Sequence, residues 1–222
     1  MSLILNIETS STNCSVSISK NGKLIDYIEK NSSNFSHSQK LHIFISEITE
    51  KNKISLKNFD AVSVGIGPGS YTGLRIGLAA AKGICYALDI PLISISSLEN
   101  LITNIDFNGI LISTIDARRD EVYSCIYNNK KEIIREEMPE IINSKSFLNY
   151  SVDEKILIVG NGQFKCKELI EFNSNFNWNE KILIPSAANM GKIAHKKYIN
   201  NAFEDIAYCE PKYLKEFKSN NG

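Results

Sequence analysis

The sequence contains no apolar run approaching the roughly 20 residues of a membrane-spanning helix, which excludes an integral helical membrane protein. It also lacks any Cys-x-x-Cys pair. Cys14, Cys85, Cys125, Cys166 and Cys209 are odd in number and far apart, an arrangement that argues against a disulfide framework or a thiolate zinc site. They suit a reducing compartment and are expected to fill the core. The start, Met1-Ser2-Leu3-Ile4, has neither a basic leader nor a small-residue cleavage site, so no export signal is expected and the expected location is cytoplasmic. Charge of one sign is not in excess: 25 Lys and Arg face 25 Asp and Glu. Without a global positive field, contact with a nucleic acid is expected only with the help of a partner. Lys196-Lys197 and the stretch from Lys212 to Lys218 read as solvated faces.

Chemistry-bearing patterns are scarce as well. His37 and His42 lie five apart, which on a helix turns them about 140° from each other, whereas ligation from one face needs a spacing of three or four. His195 is remote from both, and no metal site is expected. No serine stands in a nucleophile elbow, and Ala194-His195-Lys196-Lys197 offers no orienting acid, so no catalytic residue is nominated. The string Gly65-Ile66-Gly67-Pro68-Gly69-Ser70-Tyr71-Thr72-Gly73 fits Gly-x-Gly-x-x-Gly in neither register and has no Gly-Lys-Ser/Thr close, which excludes both nucleotide fingerprints.

What is present is a repeated pattern. Leu3 to Ile7 is an apolar strand, Ser15 to Ser19 alternates, and Asn21-Gly22 is the preferred dipeptide of a tight hairpin returning along Leu24 to Glu29. Ser36-His37-Ser38-Gln39 is a capping box opening a helix with Leu41, Phe44, Ile45 and Ile48 in one stripe. Ala61 to Ile66 is the next strand, followed by a helix from about Thr72 to Leu88, a strand over Pro91 to Ile95 and a short helix from Leu98. The order then restarts. Ile110 to Ile115 ends in Asp116 as the first strand ends in Glu8, Val122 to Tyr127 alternates, Asn128-Asn129 replaces Asn21-Gly22, and Glu132 to Arg135 returns. Ile156-Leu157-Ile158-Val159-Gly160-Asn161-Gly162 then echoes Val64-Gly65-Ile66-Gly67. Ordered matches at offsets of about one hundred residues imply an α/β chain built from a β-β-β-α-β-α unit used twice, in lobes 1–105 and 106–222.

The long glycine-bearing helix is costly in isolation. Gly73, Gly77 and Gly83 each lose about 1 kcal/mol relative to alanine in a helix interior. Gly73, Gly77 and Ala81 form a smooth groove, while Leu74, Leu78, Ala81, Cys85 and Leu88 follow the seam spacing of helical bundles. Packing on the lobe's own sheet accounts for one face; a partner's helix is the other reading. At the start of the chain, Glu8 followed by Thr9-Ser10-Ser11-Thr12-Asn13 has the shape of a first phosphate loop, or equally of a polar hairpin turn.

Gly67-Pro68-Gly69-Ser70-Tyr71-Thr72-Gly73-Leu74-Arg75-Ile76-Gly77, with Ile7-Glu8-Thr9-Ser10 and His37-Ser38-Gln39, strongly resembles the TsaB (YeaZ) family. The likeness extends through Ile95-Ser96-Ser97-Leu98-Glu99, Asp116-Ala117-Arg118-Arg119-Asp120-Glu121-Val122-Tyr123 and Pro211-Lys212-Tyr213-Leu214, nearly the whole chain. The resemblance implies a duplicated actin-like, sugar-kinase (ASKHA) fold. It further implies a non-catalytic subunit that pairs with a TsaD-like paralogue and a TsaE-like ATPase, and alone forms a homodimer. The pair would threonylcarbamoylate the adenosine next to the anticodon of tRNA, with tRNA reached only through the complex and no cofactor of the chain's own. Carried onto this sequence, the pairing surface is Leu41, Phe44, Ile45 and Ile48 of one helix with Gly73, Leu74, Gly77, Leu78 and Ala81 of the other. Glu8, Thr9, Ser10 and Ser11 form a degenerate phosphate loop, because Glu8 replaces the family's Asp and Asp116-Ala117-Arg118-Arg119 replaces a second glycine-rich turn. The competing expectation is an independent ATP-dependent phosphotransferase or metallopeptidase of the same superfamily.

Overall fold

A computed structural model describes residues 1–32, 37–152 and 154–215. In chain order the first half comprises β1 (Leu3–Glu8), β2 (Asn13–Lys20), β3 (Lys23–Asn31), α1 (His37–Asn52), β4 (Ala61–Gly67), α2 (Tyr71–Leu88), β5 (Leu92–Ser96) and α3 (Ser97–Ile102). The second comprises β6 (Ile110–Asp116), β7 (Glu121–Tyr127), β8 (Ile133–Ile141), β9 (Ile156–Val159), α4 (Gln163–Leu169), β10 (Phe176–Trp178) and α5 (Gly191–Ile199). The strands form two five-stranded mixed sheets of matching order, β3-β2-β1-β4-β5 and β8-β7-β6-β9-β10. In each, an antiparallel meander is extended by two parallel strands.

The hairpin between β2 and β3 turns on Asn21 and Gly22, both at positive φ, as the dipeptide dictates. The corresponding turn of the second sheet is longer. Asn128 accepts from the amides of Lys130 and Glu132, and Lys131 takes the left-handed conformation, so β8 begins one residue later than the sequence suggests and runs on to Ile141. Ser36, the expected cap of α1, lies outside the described residues.

The helices do not repeat as faithfully as the strands. The second half has no counterpart of α1 among the described residues: Asn143 to Ser146 close a side-chain-stabilised turn, and only a short 3-10 turn, Leu148–Tyr150, precedes β9. α3 and α5 also cross over. Leu98, Leu101 and Ile102 of α3 pack against Leu111, Tyr127, Leu157 and Val159 of the second sheet. Met190, Ile193 and Ala194, at and in α5, pack on Ile4, Ala61, Ile93 and Ile95 of the first. Each sheet is thereby covered on both faces, which is why β1, β4 and β6 are near-continuous apolar runs.

On its other face the first sheet carries α1 and α2, with Leu41, Phe44, Ile45, Ile48, Leu78 and Ala81 joining Leu5, Ile7, Val16 and Val62 in one core. α2 approaches the sheet more closely than a helix with side chains could. A Cβ on Gly69 would fall 2.3 Å from Ser10 O, on Gly73 2.1 Å from Thr9 O, and on Gly77 2.2 Å from Thr9 Oγ1. The close approach is fixed by hydrogen bonds: Ser70 N donates to Ser10 O at 2.6 Å and Thr9 Oγ1 to Gly73 O at 2.8 Å. The cap is Ser70, whose Oγ accepts from Gly73 N. Gly83 differs, since nothing lies within 4 Å of where its Cβ would stand.

These surroundings separate the helix glycines experimentally. Gly73→Ala forces the Thr9 carbonyl or the whole helix to shift and is expected to lower stability by about 1–3 kcal/mol. Gly83→Ala meets open space and is expected to raise it by about 1 kcal/mol. Urea-melt midpoints of the two variants check this; equal shifts of the same sign would contradict the packing described.

Candidate functional site

Nine residues are expected from the sequence to form a partner surface, and the structure places them all inside the first half of the molecule. Leu41, Ile48, Ala81 and Leu74 are at most 1% exposed, Ile45 and Leu78 5%, and Phe44 9%; Gly73 and Gly77 are buried against Thr9. That stripe cannot meet another chain without leaving its own sheet. The physical reason is that the most apolar face of an amphipathic helix is the one its own core takes first. The surface that α1 and α2 turn outward consists of other residues. Ile43 is 52% exposed on α1, and on α2 Ala79, Gly83 and Tyr86 are exposed beside half-buried Ile76. Positions 76, 79, 83 and 86 recur at helical spacing and make one continuous side of α2. The signal in the sequence was Gly83, which falls off the Gly73–Gly77 line.

The first loop is closed to an anion. Glu8, Thr9 and Ser10 are buried, and Ser10 N, the backbone donor a phosphate oxygen would need, donates to Glu8 Oε1 at 2.7 Å. Ser11 Oγ accepts from Asn13 N, and the Ser11 carbonyl lies 2.8 Å from His37 Nε2. The carboxyl of Glu8 thus takes up the Ser10 amide, pressed so close to β4 that a Cβ on Gly65 would lie 2.3 Å from Glu8 Oε2. Glu8 Oε2 and Ser10 Oγ have no hydrogen-bond partner. Burial pushes the Glu8 carboxyl above the usual range, opposed only by hydrogen bonds from Ser10 and Thr9. Burial likewise depresses the His37 imidazole.

The second loop has no glycine where phosphate would approach. Arg118 and Arg119 occupy successive left-handed positions, φ 68° and 50°, at a cost of roughly 1–2 kcal/mol each. The C-terminal segment crosses between the two loops. Lys212 N donates to Ile66 O at 2.7 Å, and Lys212 Nζ pairs with Glu137 at 2.8 Å. The Tyr213 ring stacks on Tyr71 at 5.1 Å, and its hydroxyl accepts from Arg75 Nε at 2.9 Å. Lys215 reaches Glu121 and the Ala117 carbonyl. Lys212 and Lys215 are thus engaged with the protein itself, and the end of that basic stretch, Lys218, lies outside the described residues. Among the described residues, no group of three or more His, Cys, Asp or Glu could hold a metal ion.

A carboxyl whose folded pKa is raised supports the fold fully below its unfolded value, 4.5, and loses that support as pH climbs through the folded value. Glu8→Gln keeps the neutral shape and is expected to be more stable than the parent at pH 7–8, the difference closing below pH 4.5. Thermal melts across that range test it, and a gap independent of pH would show that burial does not raise the carboxyl's pKa.

Comparison with known proteins places this architecture. Residues 31–217 match the family model described as TsaD, tRNA N6-adenosine threonylcarbamoyltransferase. The chain is 30% identical to the tRNA threonylcarbamoyladenosine biosynthesis protein TsaB of Buchnera aphidicola subsp. Acyrthosiphon pisum, over 85% of this chain and 86% of that protein. It is 28% identical to the protein of the same name from Escherichia coli K12, over 96% and 94%. Among solved structures, YeaZ from Pseudomonas aeruginosa superposes with a TM-score of 0.80 at 22% identity, covering 96% of this chain and all of that one. The duplicated actin-like sheets, the glycine string fitted against the first loop and these likenesses agree: the chain belongs to the TsaD model's family and, within it, to the TsaB (YeaZ) proteins.

Proposed function

We propose that this chain is the non-catalytic partner subunit in tRNA threonylcarbamoyladenosine synthesis, pairing with a TsaD-like paralogue through the outward side of α1 and α2. The paralogue carries the metal and transfers the threonylcarbamoyl group, and a TsaE-like ATPase joins the pair in the cytoplasm. The shared name of the relatives supports the pathway. The observation that carries the pairing surface is Gly83. A glycine in the middle of an 18-residue helix lowers helix stability by about 1 kcal/mol relative to alanine. Gly73 and Gly77 recover that loss by fitting against Thr9, whereas among the described residues nothing lies within 4 Å of where a Gly83 Cβ would stand. With Ala79, half-buried Ile76 and exposed Tyr86 on the same side of α2, Gly83 opens an apolar strip that a second helix pair can approach closely, and α1 adds exposed Ile43. Stable pairing of this kind buries on the order of 1,600 Å². The same strip accounts for self-association when the paralogue is absent.

A non-catalytic role is consistent with the loops. The donor of the first loop is occupied by Glu8 and the second carries two arginines in place of glycines. Neither cradles a phosphate, so no cofactor is assigned to the chain.

Ala79→Arg and Gly83→Arg are expected to weaken pairing with the TsaD-like partner at least about 30-fold, as loss of an interface centre does. Size-exclusion co-elution reads this, with circular dichroism of the isolated chain unchanged. Leu78→Arg, which faces the core, should instead unfold the chain. Co-elution of both outward variants at parental affinity would remove the assignment.

A further inference from the structure

Away from the α1–α2 side, two cavities run together. The larger, about 1090 Å³, lies between β3 and the segment leading into α5; the smaller, about 370 Å³, lies between the end of α3 and the β7–β8 turn. Asn104 and Lys192 line both, so the two cavities adjoin as neighbouring parts of one groove face. Its charge is unlike that of the chain as a whole. Lys23, Lys181 and Lys192 line the larger part, and Lys130, Lys131 and Lys192 the smaller, against the carboxylates of Glu29 and Asp106 alone. Glu29 is already engaged by Asn13 Nδ2, Ser15 Oγ and Ser186 Oγ.

Among the described residues few lysines hold a carboxylate at all. Lys51, Lys165, Lys167, Lys212 and Lys215 each hold a carboxylate. Among the described residues, none of the five groove lysines does; Lys131 donates instead to the Thr103 carbonyl, at 2.7 Å. Burial lowers the pKa of the Lys131 ammonium, the neighbouring charge of Lys192 lowers it further, and Asp106 opposes both. Between the lysines stand side-chain amides, Asn13, Asn31, Asn104 and Asn189 among them, with the exposed ring of Tyr27. Asn13 is 3% exposed and its Nδ2 donates to Glu29 and to the Pro185 carbonyl, so this amide is fixed in the groove wall.

We infer that this groove holds a strand of the tRNA within the complex. Lysines without a carboxylate partner suit phosphodiester oxygens. Amides that donate and accept suit base edges and 2′-hydroxyls, and an exposed tyrosine suits base stacking. An acidic peptide would use the cations but leave the row of amides without a purpose. The inference rests on the subunit reading above, and it deepens that reading by giving this chain its own contact to the RNA.

The test uses the complex reconstituted from the full chain and its TsaD-like partner, with labelled tRNA followed by fluorescence anisotropy across a salt series. The variant Lys130→Glu/Lys181→Glu/Lys192→Glu changes only exposed residues. It is expected to weaken tRNA binding at least about tenfold and to flatten the slope of log affinity against log salt by about 2, at roughly 0.7–0.9 per phosphate contact. A control with the same change in net charge outside the groove, Lys51→Glu/Lys57→Glu/Lys167→Glu, should leave both nearly unchanged. Unaltered binding by the groove variant, equal loss in the control, or tighter binding of polyglutamate than of tRNA would each overturn the inference. Co-elution with the partner is measured first on every variant: if the parental chain fails to pair, the subunit reading falls and this inference with it. If pairing is intact and tRNA binding is indifferent to the groove, only this inference falls.

Discussion

The contact between α2 and the Glu8-Thr9-Ser10 segment sets the rest of the molecule. Gly65, Gly69, Gly73 and Gly77 each stand where a methyl group would collide with that segment. Gly69, Gly73 and Gly77 bring the start of α2 down onto the first loop while Gly65 of β4 makes room for the Glu8 carboxyl, and the hydrogen bonds from Ser70 N and Thr9 Oγ1 hold the helix there. Two consequences follow. The loop loses the open backbone amides that a phosphate requires, and the apolar stripe of α2 is committed to its own sheet. A loop and a helix that elsewhere could serve a ligand here serve each other.

That commitment decides where an outside molecule can act. With the inner stripes of α1 and α2 sealed, the apolar surface these two helices offer is their outward side, around Ala79 and Gly83 on α2. The C-terminal segment adds a third constraint, since Lys212, Tyr213 and Lys215 tie the first half's loop region to Glu137, Glu121 and Ala117 of the second. The C-terminal segment therefore fastens the two halves to each other.

Much of this architecture was legible in the sequence. Strands buried on both faces betray themselves as apolar runs, Asn21-Gly22 fixes its turn, and the repeat of Glu8 and Asp116 at strand ends discloses the duplication. The helical complement was less legible. Nothing local in Asn143 to Tyr150 forbids a helix, and the turn there depends on Asn143 and Ser146 capping each other. The crossing of α3 and α5 is a matter of which sheet offers an uncovered face, which periodicity does not encode. The face of α2 that packs on its own sheet was left open between two readings for a related reason. Two stripes of small residues run along that helix, and the choice between them is made by the Thr9 carbonyl, far away in sequence.

Hydroxyl-radical footprinting read by mass spectrometry tests the division of α2 into an inner and an outer side most directly. In the dilute monomer Tyr86 and Ile43 should oxidise readily while Leu74 and Leu78 stay inert, and adding the TsaD-like partner should protect Tyr86 and Ile43 without altering the other two. Oxidation of Leu74 or Leu78 in the folded monomer, or a Tyr86 equally reactive with and without the partner, would contradict the account.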